Sequence, residues 1–288
     1  MKTIIITGLI FGSAMLIPFR LIAQHQSDLN FEIPYGDNSK VGKYLKVNGI
    51  NLYYETYGEG NPLLLIHGNG GTIKNMGYQI EYFSDKYKVI IPDCRGRGKS
   101  ELNTDSLTFE QITNDLILLL DNLGIDSCDL IGWSDGGIIG LLMGMNYPDR
   151  TKKIIAMGAN LWHDSTALYP WVIEWIQTSR QEAAKMIRNH DSSEDWQIIY
   201  QRMALMDDQP NIDPADLQNI KSPVLIIAGD RDMIREEHSV LIYQNIPKSQ
   251  LWIIPAGTHF APINQSELFN ETVYRFLREP FVRPDSKF

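Results

Sequence analysis

The stretch Leu130-Ile131-Gly132-Trp133-Ser134-Asp135-Gly136-Gly137 places a serine between two glycines directly after an apolar run. A strand that turns at once into a helix crowds its own backbone. Only glycine on either side leaves room for the turn that lifts the hydroxyl clear of the chain. Cys128 to Gly132 is short and apolar enough for a buried parallel strand, and Ile138 to Met145 predicts the helix after it. The G-x-S-x-G pattern therefore predicts a nucleophile elbow with Ser134 reactive. Glycine and serine are common in ordinary loops, so the rest of the chain has to decide.

A serine hydroxyl is a poor nucleophile at neutral pH and needs a base, which in turn needs a carboxylate to orient it. Behind a nucleophile elbow the partners follow in the order serine, acid, histidine. Of the six histidines, that order excludes His25 and His67. The β-branched run Pro223 to Ala228 predicts a strand ending at Gly229-Asp230-Arg231-Asp232, and acids in open α/β sheets sit at such ends. The next predicted strand, Gln250 to Pro255, runs into Ala256-Gly257-Thr258-His259-Phe260, which puts His259 on the loop after the last strand. His259 is the expected base. His238 falls within the predicted helix Arg235 to Asn245 and reads as a surface histidine, while His163 and His190 read as ordinary residues of an inserted segment. Periodicity does not separate Asp230 from Asp232, because they differ by one strand repeat and share a face if the chain stays extended.

The buried strand Pro62 to Ile66 leads into His67-Gly68-Asn69-Gly70-Gly71, three glycines in five residues. Such a loop can aim backbone N–H groups at a developing negative charge. The N–H groups of Asn69 and of Asp135, the residue after the serine, are the expected oxyanion hole.

Together these segments resemble the α/β-hydrolase superfamily over roughly Tyr44 to Leu277. His67-Gly68 is similar to its oxyanion loop, Asp93-Cys94-Arg95-Gly96-Arg97-Gly98-Lys99-Ser100 to its D-x-R-G-x-G-x-S loop, and Gly132 to Gly136 to its elbow. Gly229 to Asp232 is similar to the G-x-x-D of its acid strand and Gly257 to Phe260 to its G-x-H-F. The resemblance implies Asp232 as the acid, with Asp230 a neighbour in its hydrogen-bond network. Gly132 to Gly137 with Gly158-Ala159-Asn160 further resembles the biphenyl hydrolase-like (valacyclovir hydrolase) group. That closer resemblance implies a preference for α-aminoacyl esters, with the Asp135 carboxylate meeting the amine. The opposite expectation is that Asp135 turns away and caps a helix or pairs with a nearby Arg or Lys.

Around the elbow, strands are predicted at 44–47, 50–57, 62–66, 88–92, 128–132, 153–158, 223–229 and 250–255, alternating with helices after a first hairpin turning at Asn48-Gly49. The helix near 109–123 begins with a capping box, Thr108 with Gln111. The fold class is thus α/β, a mostly parallel doubly wound sheet in two blocks, 43–160 and 223–279. Residues 161–222 break the alternation and carry four of the six tryptophans, which predicts an inserted helical cap. Most of its large residues are expected to hold the cap to the core. Trp162, together with Trp133, is expected to touch substrate.

Lys2 followed by the apolar run Ile4 to Phe19, with no acidic residue up to Ala23, predicts a signal peptide over 1–23 and a periplasmic or secreted protein. The alternative is an uncleaved N-terminal anchor, against which the run is short. A linker at 24–42 and a tail at 280–288 complete the organisation. Removal of 1–23 takes Lys2 and Arg20, leaving 24 basic against 35 acidic residues and a net charge near −11. An acidic surface repels phosphate backbones, so nucleic acid is not an expected partner. No zinc-type Cys/His cluster or dinucleotide fingerprint stands in the sequence, so neither metal nor cofactor is expected. Cys94 and Cys128 fall near opposite edges of the predicted sheet and are expected to be free thiols.

The expected activity is cofactor-independent hydrolysis of a small carboxylic ester through an acyl-enzyme, by Ser134, His259 and Asp232. Carbon–carbon bond hydrolysis of a ring-cleavage product, or amide cleavage with the same residues, is the enzymatic alternative. A non-catalytic binding protein on this fold is the alternative of another class.

Overall fold

Residues 29–283 are described by a computed structural model. The expected signal peptide, the first residues of the linker (24–28) and the last residues of the tail (284–288) lie outside the described residues.

An eight-stranded sheet runs in the order β1-β2-β4-β3-β5-β6-β7-β8. Its strands are β1 Lys43–Val47, β2 Ile50–Tyr57, β3 Pro62–Ile66, β4 Lys88–Pro92, β5 Cys128–Trp133, β6 Thr151–Met157, β7 Val224–Arg231 and β8 Ser249–Thr258. β1 and β2 pair antiparallel, as do β2 and β4, and every other neighbouring pair is parallel. The mostly parallel sheet is therefore the one the alternation predicts. Asn48 and Gly49 both take positive φ, 42° and 79°, the conformation that a two-residue hairpin turn demands.

The helices are α1 Gly77–Phe83, α2 Phe109–Asn122, α3 Asp135–Asn146, α4 Pro170–Arg188, α5 Trp196–Asp208, α6 Glu236–Asn245, α7 Ala261–Asn264 and α8 Ser266–Arg278. At the start of α2, Thr108 Oγ1 accepts from the Gln111 N–H at 3.0 Å, but Gln111 Oε1 is buried without a partner. Only half of the expected capping box forms. The described residues from Ile33 onward form one compact unit. α4, α5 and a 3₁₀ turn at Pro214–Asn219 occupy the interval between β6 and β7, where the cap is expected.

The strand order reverses around β3, so the carboxyl ends of β3 and β5 open on a crevice with helices to either side, the usual ligand position of such sheets. Cys94 and Cys128 are both buried and free.

Candidate active site

Ser134 joins β5 to α3 with φ 58° and ψ −119°, a conformation that a side-chain-bearing residue adopts only when its surroundings enforce it. Its N–H donates to Met157 O at 2.7 Å. A Cβ on Gly132 would stand 2.0 Å from Gly136 O, and one on Gly136 would stand 2.1 Å from Ile66 O. Both flanking glycines are therefore steric requirements of the turn. Ser134 Oγ makes no hydrogen bond among the described residues.

Asp232 and His259 meet at the ends of β7 and β8. His259 Nδ1 lies 2.6 Å from Asp232 Oδ1, and both side chains are buried. The carboxylate also accepts from the N–H groups of Ile234 at 3.1 Å and Gly229 at 3.4 Å. An ionised carboxylate only accepts, so in this contact the imidazole Nδ1–H is the donor. The ring is held from a second side. Gly158, at φ 62°, brings its backbone so close that a Cβ there would stand 2.7 Å from His259 Cε1. Trp133 Nε1 donates to His259 O at 2.7 Å, tying the histidine loop to β5.

Asp230 does not join this network. β7 and β8 run further than the hydrophobic pattern predicts, and their pairing shifts between Gly229 and Arg231, at Asp230 itself. The strand period breaks there, Asp232 N–H turns back to Gly229 O, and Asp230 Oδ1 is buried without a partner.

The opposite flank of Ser134 is built by the loops after β3 and β4. Gly68 to Gly71 form a β-turn closed at 3.1 Å, with Gly70 at φ 71°. Asn69 sits within it. Asp135 opens α3, where a backbone N–H has no acceptor within its own helix. His67 braces the two loops: its Nε2 accepts from Cys94 N–H at 3.0 Å and its Nδ1 lies 2.8 Å from Gly68 O. Burial pulls its pKa down to about 3, so it stays neutral. The charged residues of the β4 loop act as separate tethers. Asp93 accepts from the N–H groups of Ile73 and Lys99, and the fully buried Arg95 pairs with Asp115 of α2 at 2.7 Å.

Arg97 is the finding that the motif pattern does not announce, because it stands at one of the free positions of D-x-R-G-x-G-x-S. Its Nη2 lies 3.0 Å from Asp135 Oδ2, and both side chains are almost fully buried. Burial pushes the Asp135 pKa up and Arg97 pulls it back. The carboxylate expected to meet a substrate amine is already neutralised by the protein. Arg202 of α5 reaches the same place. Its Nε donates to Asn69 Oδ1 at 3.3 Å, and Asn69 Nδ2 donates to Arg202 O at 3.2 Å. Nothing in the sequence marks Arg202, since a single basic residue on a cap helix reads as a solvated one.

Ser134 and Asp135 line a pocket whose walls include Val172, Trp175, Ile176 and Met206 of the cap helices. Trp133 and Trp162, expected to touch substrate, are not in that wall. The Trp133 indole is committed to the histidine loop, and Trp162 meets His238 edge-to-face with ring centroids 4.6 Å apart. His238 is itself a correction. It is 2% exposed rather than a surface residue, and its Nε2 accepts from Leu161 N–H at 2.9 Å, where the chain leaves the core. Burial lowers its pKa to about 4.

Residues 61–191 match the family described as the alpha/beta hydrolase fold. The chain is 27% identical to mouse serine hydrolase BPHL over 81% of its own length and 84% of that protein's. It is 28% identical to 3-oxoadipate enol-lactonase 2 of Acinetobacter baylyi, with 80% of this chain and 94% of that one covered. A malate-bound thermophilic esterase from Thermogutta terrifontis superposes with a TM-score of 0.69 at 25% identity, covering 84% of this chain and 99% of that one.

Proposed function

We propose that this chain, an α/β hydrolase related to the biphenyl hydrolase-like enzymes, hydrolyses a small carboxylic ester through a serine acyl-enzyme. One observation carries the reading: a buried 2.6 Å Asp232–His259 pair converges on the same strand ends as a serine held at positive φ. In this reading Ser134 Oγ attacks the ester carbonyl while His259 Nε2 takes its proton, and Asp232 stabilises the imidazolium that results. The oxygen that becomes negative is received by the N–H groups of Asn69 and Asp135. His259 returns the proton to the leaving alcohol, and one water then releases the acid by the same steps in reverse order.

The apolar pocket wall favours an uncharged organic group beside the scissile bond. An α-aminoacyl substrate gains nothing from Asp135, because Arg97 already occupies that carboxylate. The run Ile4 to Phe19 supports an exported enzyme, whose recovered form is expected to begin near Gln24 by N-terminal sequencing.

Fluorophosphonate labelling tests the reading. The parent is expected to be labelled at one site and Ser134→Ala to resist labelling and lose ester turnover with its circular dichroism unchanged. A folded Ser134→Ala that still turns over esters would sink the mechanism.

A further inference from the structure

The oxyanion loop is braced at its start by His67, whose Nδ1 lies 2.8 Å from Gly68 O, and beyond that point it is mostly glycine. Gly68, Gly70 and Gly71 surround Asn69, Gly70 lies at φ 71°, and Gly71 N–H donates to Gly68 O at 3.1 Å across the turn. With so much glycine, the direction of the Asn69 peptide is weakly determined by the loop itself. Its side chain supplies a further constraint, because it hydrogen-bonds Asp135 and also reaches the cap. Both polar ends of the amide are used by Arg202, one accepting from its Nε and the other donating to its carbonyl oxygen. The guanidinium also lies across Gly70 so closely that a Cβ there would stand 2.3 Å from Arg202 Nη2.

Helix α5 is in turn fixed to the core beside this contact. Gln201 Nε2 donates to Asp105 O at 2.6 Å, and Gln201 Oε1 accepts from Leu107 N–H at 3.0 Å. A continuous path therefore runs from the loop before α2, through Gln201 and Arg202, to Asn69. We infer that Arg202 is a positioning residue for the oxyanion donor at Asn69, so that the hole is complete only while α5 is seated on the loop. The inference rests on the serine hydrolase reading, which makes the Asn69 N–H a donor to the reacting oxygen. Closure of the cap over a bound ester and assembly of the hole become one event. Such contacts act on rate rather than on binding, because displacing a donor by about 1 Å can cost on the order of 100-fold.

The test uses the neutral probe p-nitrophenyl butyrate with Asn69→Ala, which keeps the backbone N–H, and with Arg202→Met, Arg202→Lys and the double variant Asn69→Ala/Arg202→Met. Asn69→Ala and Arg202→Met are each expected to lower kcat about 10- to 100-fold with KM within about threefold. The double variant should be no slower than the slower single one, since both act through one contact. Arg202→Lys keeps the charge but loses the planar Nε donor and should remain slow. Parental kcat in both folded Arg202 variants would overturn the inference, as would multiplicative losses in the double variant. A loss seen only as raised KM for esters bearing a carboxylate would also overturn it, by making Arg202 a substrate contact. A parent whose serine resists fluorophosphonate would remove the hydrolase reading and this inference with it, whereas a labelled parent with a fast Arg202→Met removes this inference alone.

Discussion

Two aspartates flank Ser134, and the difference between them is a matter of partner. Asp232 and Asp135 are each 5% exposed, and each follows the carboxyl end of a parallel strand. Asp232 meets the His259 imidazole and two backbone N–H groups, none of them a permanent counter-charge. Asp135 meets Arg97, so its charge is consumed. Burial and position are the same for both. On the proposed reading, a buried carboxylate can serve the reaction only where the protein withholds a permanent counter-charge from it.

The largest expected effect comes from taking away the charge that remains available. Asp232→Asn should leave the fold intact and lower ester kcat on the order of 10⁴-fold, because the amide cannot stabilise an imidazolium and favours the wrong tautomer. Steady-state kinetics of Asp232→Asn beside Asp230→Asn checks this. If the Asp230 variant alone were inactive, the acid would be misassigned.

Breaking the other flank should cost stability. Arg97→Met strands a buried carboxylate, for which a loss of about 3–5 kcal/mol is expected in denaturant unfolding. Adding Asp135→Asn should return most of it, since the stranded charge is gone. A loss below about 1 kcal/mol in Arg97→Met would mean that Asp135 finds another partner or a proton.

The same comparison extends to two imidazoles, because His259 is hydrogen-bonded to a carboxylate, whereas for His238 burial outweighs the pull of the Asp164 charge. The folded-state pKa of His238 is lowered from 6.5 to about 4 by burial, so its neutral form is favoured in the fold. Its contribution to stability is complete above the unfolded pKa of 6.5 and is lost as pH falls towards 4, up to roughly 3 kcal/mol at ~1.4 kcal/mol per unit. His67 is depressed further and loses stability over the same window, whereas Asp93, raised to about 6 by burial, works against it. Unfolding free energies at pH 7 and pH 4.5 should therefore fall less in His238→Gln than in the parent. An equal fall in both would refute a buried neutral His238.

The smallest effect is expected at Trp133. Trp133→Phe removes the donor to His259 O but keeps a ring against Phe260, 5.7 Å away. The expected cost is about 1 kcal/mol, with a modest drop in kcat as the histidine loop loosens. A loss of substrate affinity at unchanged kcat would instead return Trp133 to the pocket.

The strand and helix alternation, the elbow and the order of Ser134, Asp232 and His259 were legible in the sequence, because each is written locally. Apolar runs of strand length, glycines where a backbone must pass close to another, and a polar residue just beyond a strand all belong to contiguous stretches. Other features needed the folded chain. Asp230 fell out of the network through a shift in β7–β8 pairing, which no count of strand periods contains. His238 became buried because the chain leaving β6 packs Leu161 and Trp162 onto α6. Arg97 and Arg202 lie 105 residues apart in number, yet both face the residues beside Ser134. Local sequence determines which backbone each segment prefers, whereas the net charge and the donors around a buried site are sums over segments that meet only in space, and those the tertiary structure alone decided.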